Sequence, residues 1–338
     1  MFLLDSDFLP VTDSSHVSTA RRAVIDFARR ADIPDAQAEK AALIATELGT
    51  NLVKHATGGE LLLQAVRHEA DLRALHLIAV DRGPGMSNLR ECLNDGYSTA
   101  GSPGTGLGAI RRLSDDFDVY SQPGRGTVVW SRLWSRSPPP MPGVTMDIGS
   151  VSRPKRGEAI CGDHWSVIVQ QGRWQFLVAD GLGHGPQASE ASMQAARIFD
   201  NARNRELPDL LNAIHAGLRS TRGAAVSIAD IEAGRQLIRY VGVGNVAGEV
   251  VSSSGMRSMV SLNGTAGVEV RKISEFTYPW PEDAVLVLHS DGLSSRWNID
   301  HYPGLVSRHP TVIAGVLYRD HDRGHDDVTV VAVKQVSM

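Results

Sequence analysis

The sequence predicts an α+β chain of two domains: an α/β sandwich with helices on one face of a mixed sheet, followed by an αββα sandwich. Three observations predict this. Residues 1–134 read as two helices followed by strands with one short helix inserted. Residues 145–338 read mostly as strands separated by glycine-containing turns. Between them "SRSPPPMPG", Ser135 to Gly143, has consecutive prolines that remove backbone donors and favour extended, solvated chain, so residues 135–144 are predicted to be a linker. At 338 residues the chain also exceeds the roughly 250–300 at which a single core usually stops growing.

In the first domain, "SSHVSTARRAVIDFARRADI" opens with capping serines and spaces Val17, Ala20, Val24, Phe27 and Ala31 by threes and fours, as an amphipathic helix does. Pro34 suits the first turn of a second helix that runs through "AEKAALIATELGTNLVKHA". "ELLLQAVRH" and "LRALHLIAV" are β-like runs joined by "HEAD", the second ending on Asp81. A short helix follows "GTGLG", and "FDVYSQ" pairs with "GTVVWSRLW" around "PGRG". In the second domain the strands are "DHWSVIVQ", "RWQFLVAD", "AAVSIADI", "RQLIRYVGV", "AVLVLHSD" and "DVTVVAVK". Helices are predicted over Pro186 to Asn204, Pro208 to Arg219 and Pro310 to Tyr318.

A net charge of -4 gives no general attraction to nucleic acid or anionic membrane, so neither is expected as a partner. Cys92 and Cys161 are too few and too far apart for a disulfide framework or a metal knuckle, and are read as ordinary thiols of a reducing compartment. "MFLLDSDFLPVTD" has acids where a secretory signal needs a basic region, and no apolar run approaches ~18 residues. A cytoplasmic protein is expected.

Glu47, Asn51 and His55 stand four residues apart and project from one helix face. Alone, such a stripe is ordinarily solvated surface. Downstream, however, Asp81 ends an apolar strand, and Gly83 and Gly85 let the backbone turn closely around a flat ligand. Gly104, Gly106 and Gly108 then open a helix whose first amides can face phosphates. E-x-x-x-N on a helix, D-x-G-x-G-M, G-T-G-L-G and G-x-G-T together resemble the N, G1 and G2 boxes of the GHKL (Bergerat-fold) ATPases, and within them the bacterial anti-sigma serine kinases of the RsbW and RsbT type. The resemblance covers residues 15–134, with "GTGLGAIRRLSDDFDVYSQPGRGTVV" closest to the RsbT branch. It implies ATP, with Asn51 holding Mg²⁺, Asp81 accepting from the adenine amino group, and Gly83 and Gly85 shaping the adenine pocket. It also implies Gly104, Thr105, Gly106, Leu107 and Gly108 at the phosphates, Thr127 near the adenine, and "NDGYSTAGSP" as a lid. Glu47 separates a kinase from a binder, because a carboxylate beside the γ-phosphate can take the proton of an attacking hydroxyl. His55 is expected to be a helix-face histidine making local hydrogen bonds.

In the second domain, acids recur beside apolar strands: Asp163 in "CGDHW", Asp180 in "FLVADGLGHG", Asp291 in "LVLHSDGLSS", and Asp326 with Asp327 in "GHDDVTVV". Each Asp-Gly alone reads as a turn. Carboxylates gathered at neighbouring strand ends repel one another unless cations lie between them, which points to Mg²⁺ or Mn²⁺. These motifs resemble the PPM (type 2C) serine/threonine phosphatases, specifically their SpoIIE-like and RsbX-like branch, over residues 145–335. The resemblance implies two metals bridged by Asp180, with the Gly181 carbonyl on one, Asp291 and Asp326 on the other, and Asp163 in support. Asp180 and Asp291 are then the residues on which hydrolysis depends, and Asp326 is favoured over Asp327 as ligand. Glu158 stands at the offset where the eukaryotic members of that family have a phosphate-docking arginine. Arg153, Lys155 and Arg156 are nearby substitutes, though a solvated basic loop is the expectation, as a turn histidine is for His184. "VGVGN", residues 242–245 with the preceding valine, is read as structural.

Both resemblances imply a partner-switching system, in which a small STAS-domain antagonist of an anti-sigma factor is phosphorylated and dephosphorylated, with a sigma factor or other regulator as a further partner and a homodimer by analogy with related kinases. A bifunctional kinase and phosphatase is the expectation. The alternative is a phosphatase whose first domain is only a nucleotide-dependent binding module, an anti-sigma factor or sensor.

Overall fold

The computed structural model describes residues 1–56, 58–68, 71–93, 106–138, 145–170, 172–202 and 205–336, without the Arg90 side chain. The chain divides into two compact units, Leu3–Pro140 and Met141–Met338, the latter joined by Met1–Phe2.

The first unit contains β1 (Phe2–Val11), α1 (Ser14–Arg30), α2 (Asp35–His55), β2 (Gly59–Arg67), β3 (Arg73–Asp81), a one-turn α3 (Leu89–Cys92), α4 (Gly106–Leu113), β4 (Asp116–Gln122) and β5 (Gly126–Trp134). Its strands lie in the order β1-β2-β3-β5-β4. The cap of α1 is Asp13, not the serines: its carboxylate accepts from the Ser15 N–H at 2.8 Å, leaving Ser14 and Ser15 inside the first turn. Pro34 sits one residue before α2. Val24 and Phe27 of α1, Ile44 and Leu48 of α2, and Ile110 of α4 close over Leu61, Leu63, Leu75 and Leu77. Those four strand residues alternate in sequence, so they share one sheet face, and the helices cover that face.

The second unit contains β6 (Thr145–Arg153), β7 (Asp163–Gln170), β8 (Arg173–Gly181), α5 (Pro186–Asn201), α6 (Leu207–Gly217), β9 (Ala224–Glu232), β10 (Leu237–Val243), β11 (Ala247–Ser252), β12 (Gly255–Ser258), β13 (Gly264–Thr265), β14 (Glu269–Val270), β15 (Phe276–Pro279), β16 (Val285–His289), α7 (Pro310–His321) and β17 (Val328–Val336). One sheet runs β7-β8-β9-β10-β15 and the other β6-β17-β16-β11-β12, all pairs antiparallel. Phe199 of α5 and Leu210, Leu211 and Ile214 of α6 pack on Leu177, Val226, Ile228 and Val241 of the first sheet. Helix α7 packs on β6 and β17 of the second. The layering is αββα, as predicted. Among the described residues no helix is long and apolar enough to cross a membrane.

Candidate active sites

In the first unit, the 100° step of α2 brings Glu47 and Asn51 onto one face, and α4 begins directly against it. A Cβ on Gly106 would stand 3.3 Å from Asn51 Oδ1 and 3.6 Å from Glu47 Oε2. Glu47, Asn51 and Gly106 are therefore brought together, with the first amides of α4 lacking intrahelical partners at that end. Leu107 packs against the core and Gly108 is buried. Gly104, Thr105 and the predicted lid lie outside the described residues.

Asp81 ends β3, and its Oδ1 accepts from the Gly83 N–H at 2.8 Å and the Thr127 N–H at 3.2 Å. The buried Thr127 hydroxyl is 2.9 Å from Ser121 Oγ, which accepts from the Met86 N–H at 2.8 Å. The loop after Asp81 is thus tied to both β4 and β5. Gly85 has φ +68°, and a Cβ there would collide with the Gln122 carbonyl, so only glycine fits. A Cβ on Gly83 would come within 2.9 Å of Ala56 Cα and the His55 carbonyl, so the loop lies against the end of the helix that carries Asn51. His55 is exposed in the last turn of α2.

In the second unit the antiparallel β7–β8 ladder pairs Asp163 directly with Asp180. The Gly181 N–H donates to the Gly162 carbonyl at 3.2 Å. Burial, followed by the charges of Asp291, Asp326 and Asp327, pushes the Asp180 carboxyl up to about 8. Burial raises Asp163 well above the carboxylate range, with Asp180 adding to it. Asp291 is raised by burial and then by Asp326. These acids therefore act on one another as charges, which is the convergence the motifs predict.

Both Asp163 oxygens and Asp327 Oδ2 are buried without a hydrogen-bond partner. Thr329, beside Asp163, gives its hydroxyl proton to Ser152 instead. Buried, unpaired carboxylate oxygens are costly unless something cationic satisfies them, so this donor set suits divalent metals. Among the described residues no three His, Cys, Asp or Glu side chains form a group that could hold a metal ion. Of the aspartate pair, Asp327 Oδ1 accepts from the Lys155 N–H at 2.9 Å, whereas Asp326 shares its field with Asp291.

Asn245, which closes "VGVGN", donates its amide to Asp291. Gly244 just before it has φ +93°. Arg153 is corrected: it is buried, 3.9 Å from Asp322 and over the Tyr318 ring, not in solvated loop. His184 lies exposed in the bend after β8, as expected of a turn histidine, with its Nδ1 2.7 Å from Glu158. Behind Asp291, the buried His289 Nδ1–H donates to the Ser290 carbonyl at 2.8 Å, and its Nε2 is 3.6 Å from Glu249. Burial pushes Glu249 up to about 8 and His289 down to about 4, so the pair is neutral near pH 7. Cys92 and Cys161 are free thiols.

Residues 10–133 match the family model described as a histidine kinase-like ATPase domain, and residues 170–336 match that of stage II sporulation protein E. The chain is 35% identical over 91 residues to the serine/threonine-protein kinase RsbT of Bacillus subtilis (strain 168), covering 27% of this chain and 68% of that protein. A structure from work on the bacterial stressosome, as a modular system adapted to control secondary messenger signalling, superposes with TM-score 0.52 at 24% identity, over 56% of this chain and 100% of that one. RsbX in complex with magnesium superposes with TM-score 0.50 at 22% identity, over 57% and 99%. At these identities the two structures show a shared fold.

Proposed function

The chain belongs to the RsbT-type family of serine/threonine kinases in its first domain and carries a SpoIIE-type PPM phosphatase domain in its second, and from that premise we propose a bifunctional enzyme that phosphorylates and dephosphorylates one protein substrate in partner switching. The substrate is a small STAS-domain antagonist of an anti-sigma factor, the released partner is a sigma factor or similar regulator, and the setting is cytoplasmic. Related kinases pair, so a homodimer is part of the reading. The observation that carries it is the buried Asp180, paired with Asp163 across the β7–β8 rung and within the field of Asp291, Asp326 and Asp327, an arrangement that suits a hydrolytic metal centre.

In the first domain, Glu47 is placed beside the start of α4 to take the proton of a substrate hydroxyl as its oxygen attacks the γ-phosphorus and the bond to ADP breaks. Asn51 would hold the Mg²⁺ that accompanies ATP, and Asp81 would read the adenine amino group. In the second domain, two Mn²⁺ or Mg²⁺ ions would be held by Asp180, the Gly181 carbonyl, Asp291, Asp326 and Asp163, and when bound would supply an acidified water and neutralise the phosphoryl oxygens. Asn245 fixes the rotamer of Asp291, and the β7–β8 ladder fixes Asp163 against Asp180. No protein nucleophile is needed. The phosphate carries about -1.5 to -2 charge, enough to break a packed interface by repulsion and desolvation.

Incubation with Mg²⁺, labelled ATP and the STAS protein encoded nearest in the genome tests both halves. Label transfer, and phosphate release from the pre-phosphorylated STAS protein, are expected. Release without transfer would leave the nucleotide-binding module as the reading of the first domain; neither would sink the proposal.

A further inference from the structure

The ions proposed above would offset these acids, and a cation of the chain itself can add donors to a dianionic phosphate ester. Two of the nearby basic residues are committed. Arg153 is buried against Tyr318 and Asp322, and Arg323 faces Asp291. Glu158 stands at the offset where eukaryotic relatives place an arginine, and its carboxylate is turned to His184.

Arg222 differs from all of these. The Leu182 N–H donates to the Gly223 carbonyl at 3.0 Å, and the β8–β9 ladder pairs Asp180 with Ala225 and Gly181 with Ala224. Arg222 therefore lies just past the rung that ends on the predicted metal-bridging residues. Its Nη1 is 3.1 Å from where a Cβ on Gly183 would sit. Gly183 has φ +92°, so glycine both permits this turn and leaves room for the guanidinium above it. Arg222 is exposed and has no carboxylate or hydrogen-bond partner among the described residues, although five aspartates stand in the same unit's centre.

We propose that Arg222 grips the phosphoryl group of the substrate at the hydrolytic centre. This rests on the phosphatase reading. The planar guanidinium presents paired N–H donors to two phosphoryl oxygens, and lying over the loop after Asp180 and Gly181 it does so without neutralising the acids that would hold the metals. Its contribution is to binding, not to the attack on phosphorus.

The test uses the full chain with Mn²⁺, para-nitrophenyl phosphate as substrate and inorganic phosphate as calorimetric ligand. R222A is expected to raise both KM and the phosphate Kd about tenfold, with kcat changed less than about threefold, and R222K to recover part of the loss. R235A, which removes the same charge at the far end of β9, is expected to match the wild type. Equal KM and phosphate Kd in wild type and R222A would overturn the proposal. A wild-type chain that hydrolyses no ester would instead overturn the phosphatase reading, and the phosphate titration would then decide: equal binding by both proteins, or none by the wild type, sinks the role of Arg222.

Discussion

The two candidate sites treat their acids in opposite ways. In the first domain Asp81 has an oxygen already bound by two backbone amides, and Glu47 stands across from the start of a helix. In the second, Asp163 is raised by its burial and by the charge of Asp180 across the rung, and Asp180 is itself raised to about 8. A site that reads a heterocycle can be finished by the fold alone, because hydrogen bonds satisfy it in advance. A site that holds cations must be left electrically incomplete, and the sandwich around it carries that cost.

That contrast can be broken or sharpened by experiment. The largest effect is expected from D180N, which should lower phosphate release from phospho-STAS by about a thousandfold or more while leaving label transfer from ATP within about twofold. E47Q should do the reverse, reducing transfer at least about a hundredfold and leaving ATP affinity within about threefold by equilibrium titration. Loss of ATP binding in E47Q would show that Glu47 supports the pocket rather than the chemistry.

Stability offers a second axis. Glu249 ionises at about 8 when folded and near 4.5 when unfolded, so as pH rises between those values the unfolded chain gives up its proton first and the second domain loses stability. The share owed to Glu249 should be about 3 kcal/mol between pH 5 and pH 8, read as the difference between wild type and E249Q in urea titrations with chelator present. His289 works in the opposite direction: its folded value of about 4 means stability is lost as pH falls below about 6.5. Mn²⁺ at about a hundred times its Kd should add about 2.7 kcal/mol to the second domain, and none in D180N if the aspartates hold it. The smallest effect is expected from T127V, which removes the hydroxyl bonded to Ser121 and should weaken ATP binding about threefold.

Much of this architecture was legible in the chain. Helices α1, α2, α5, α6 and α7 carry apolar residues at helical spacing or open on a proline, and the acids flank short apolar strands: Asp81 ends one, Asp180 stands one before the end of another, Asp163 opens a third and Asp291 follows a fourth. What escaped was what has no local signature. Strand β1 carries Asp5, Asp7 and Pro10, and β6 carries Gly149, Ser150 and Ser152, so neither alternates clearly, yet β6 pairs with β17 from Arg153 to Thr145. Asn245 and Arg222 gained their roles only when a turn and a strand start were brought beside distant acids. The same holds for Glu249 and His289, whose meaning lies in mutual burial and not in spacing.

The shared rung of Asp163 and Asp180 makes the hairpin between them a measuring device. Side chains on a strand alternate faces, so a slip of a single residue along β7 or β8 would carry one acid through to the other side of the sheet. The register of β7 on β8 thus sets the distance between the two carboxylates. One residue inserted within β7 itself, between Asp163 and Gln170, should leave a folded protein that binds Mn²⁺ more weakly.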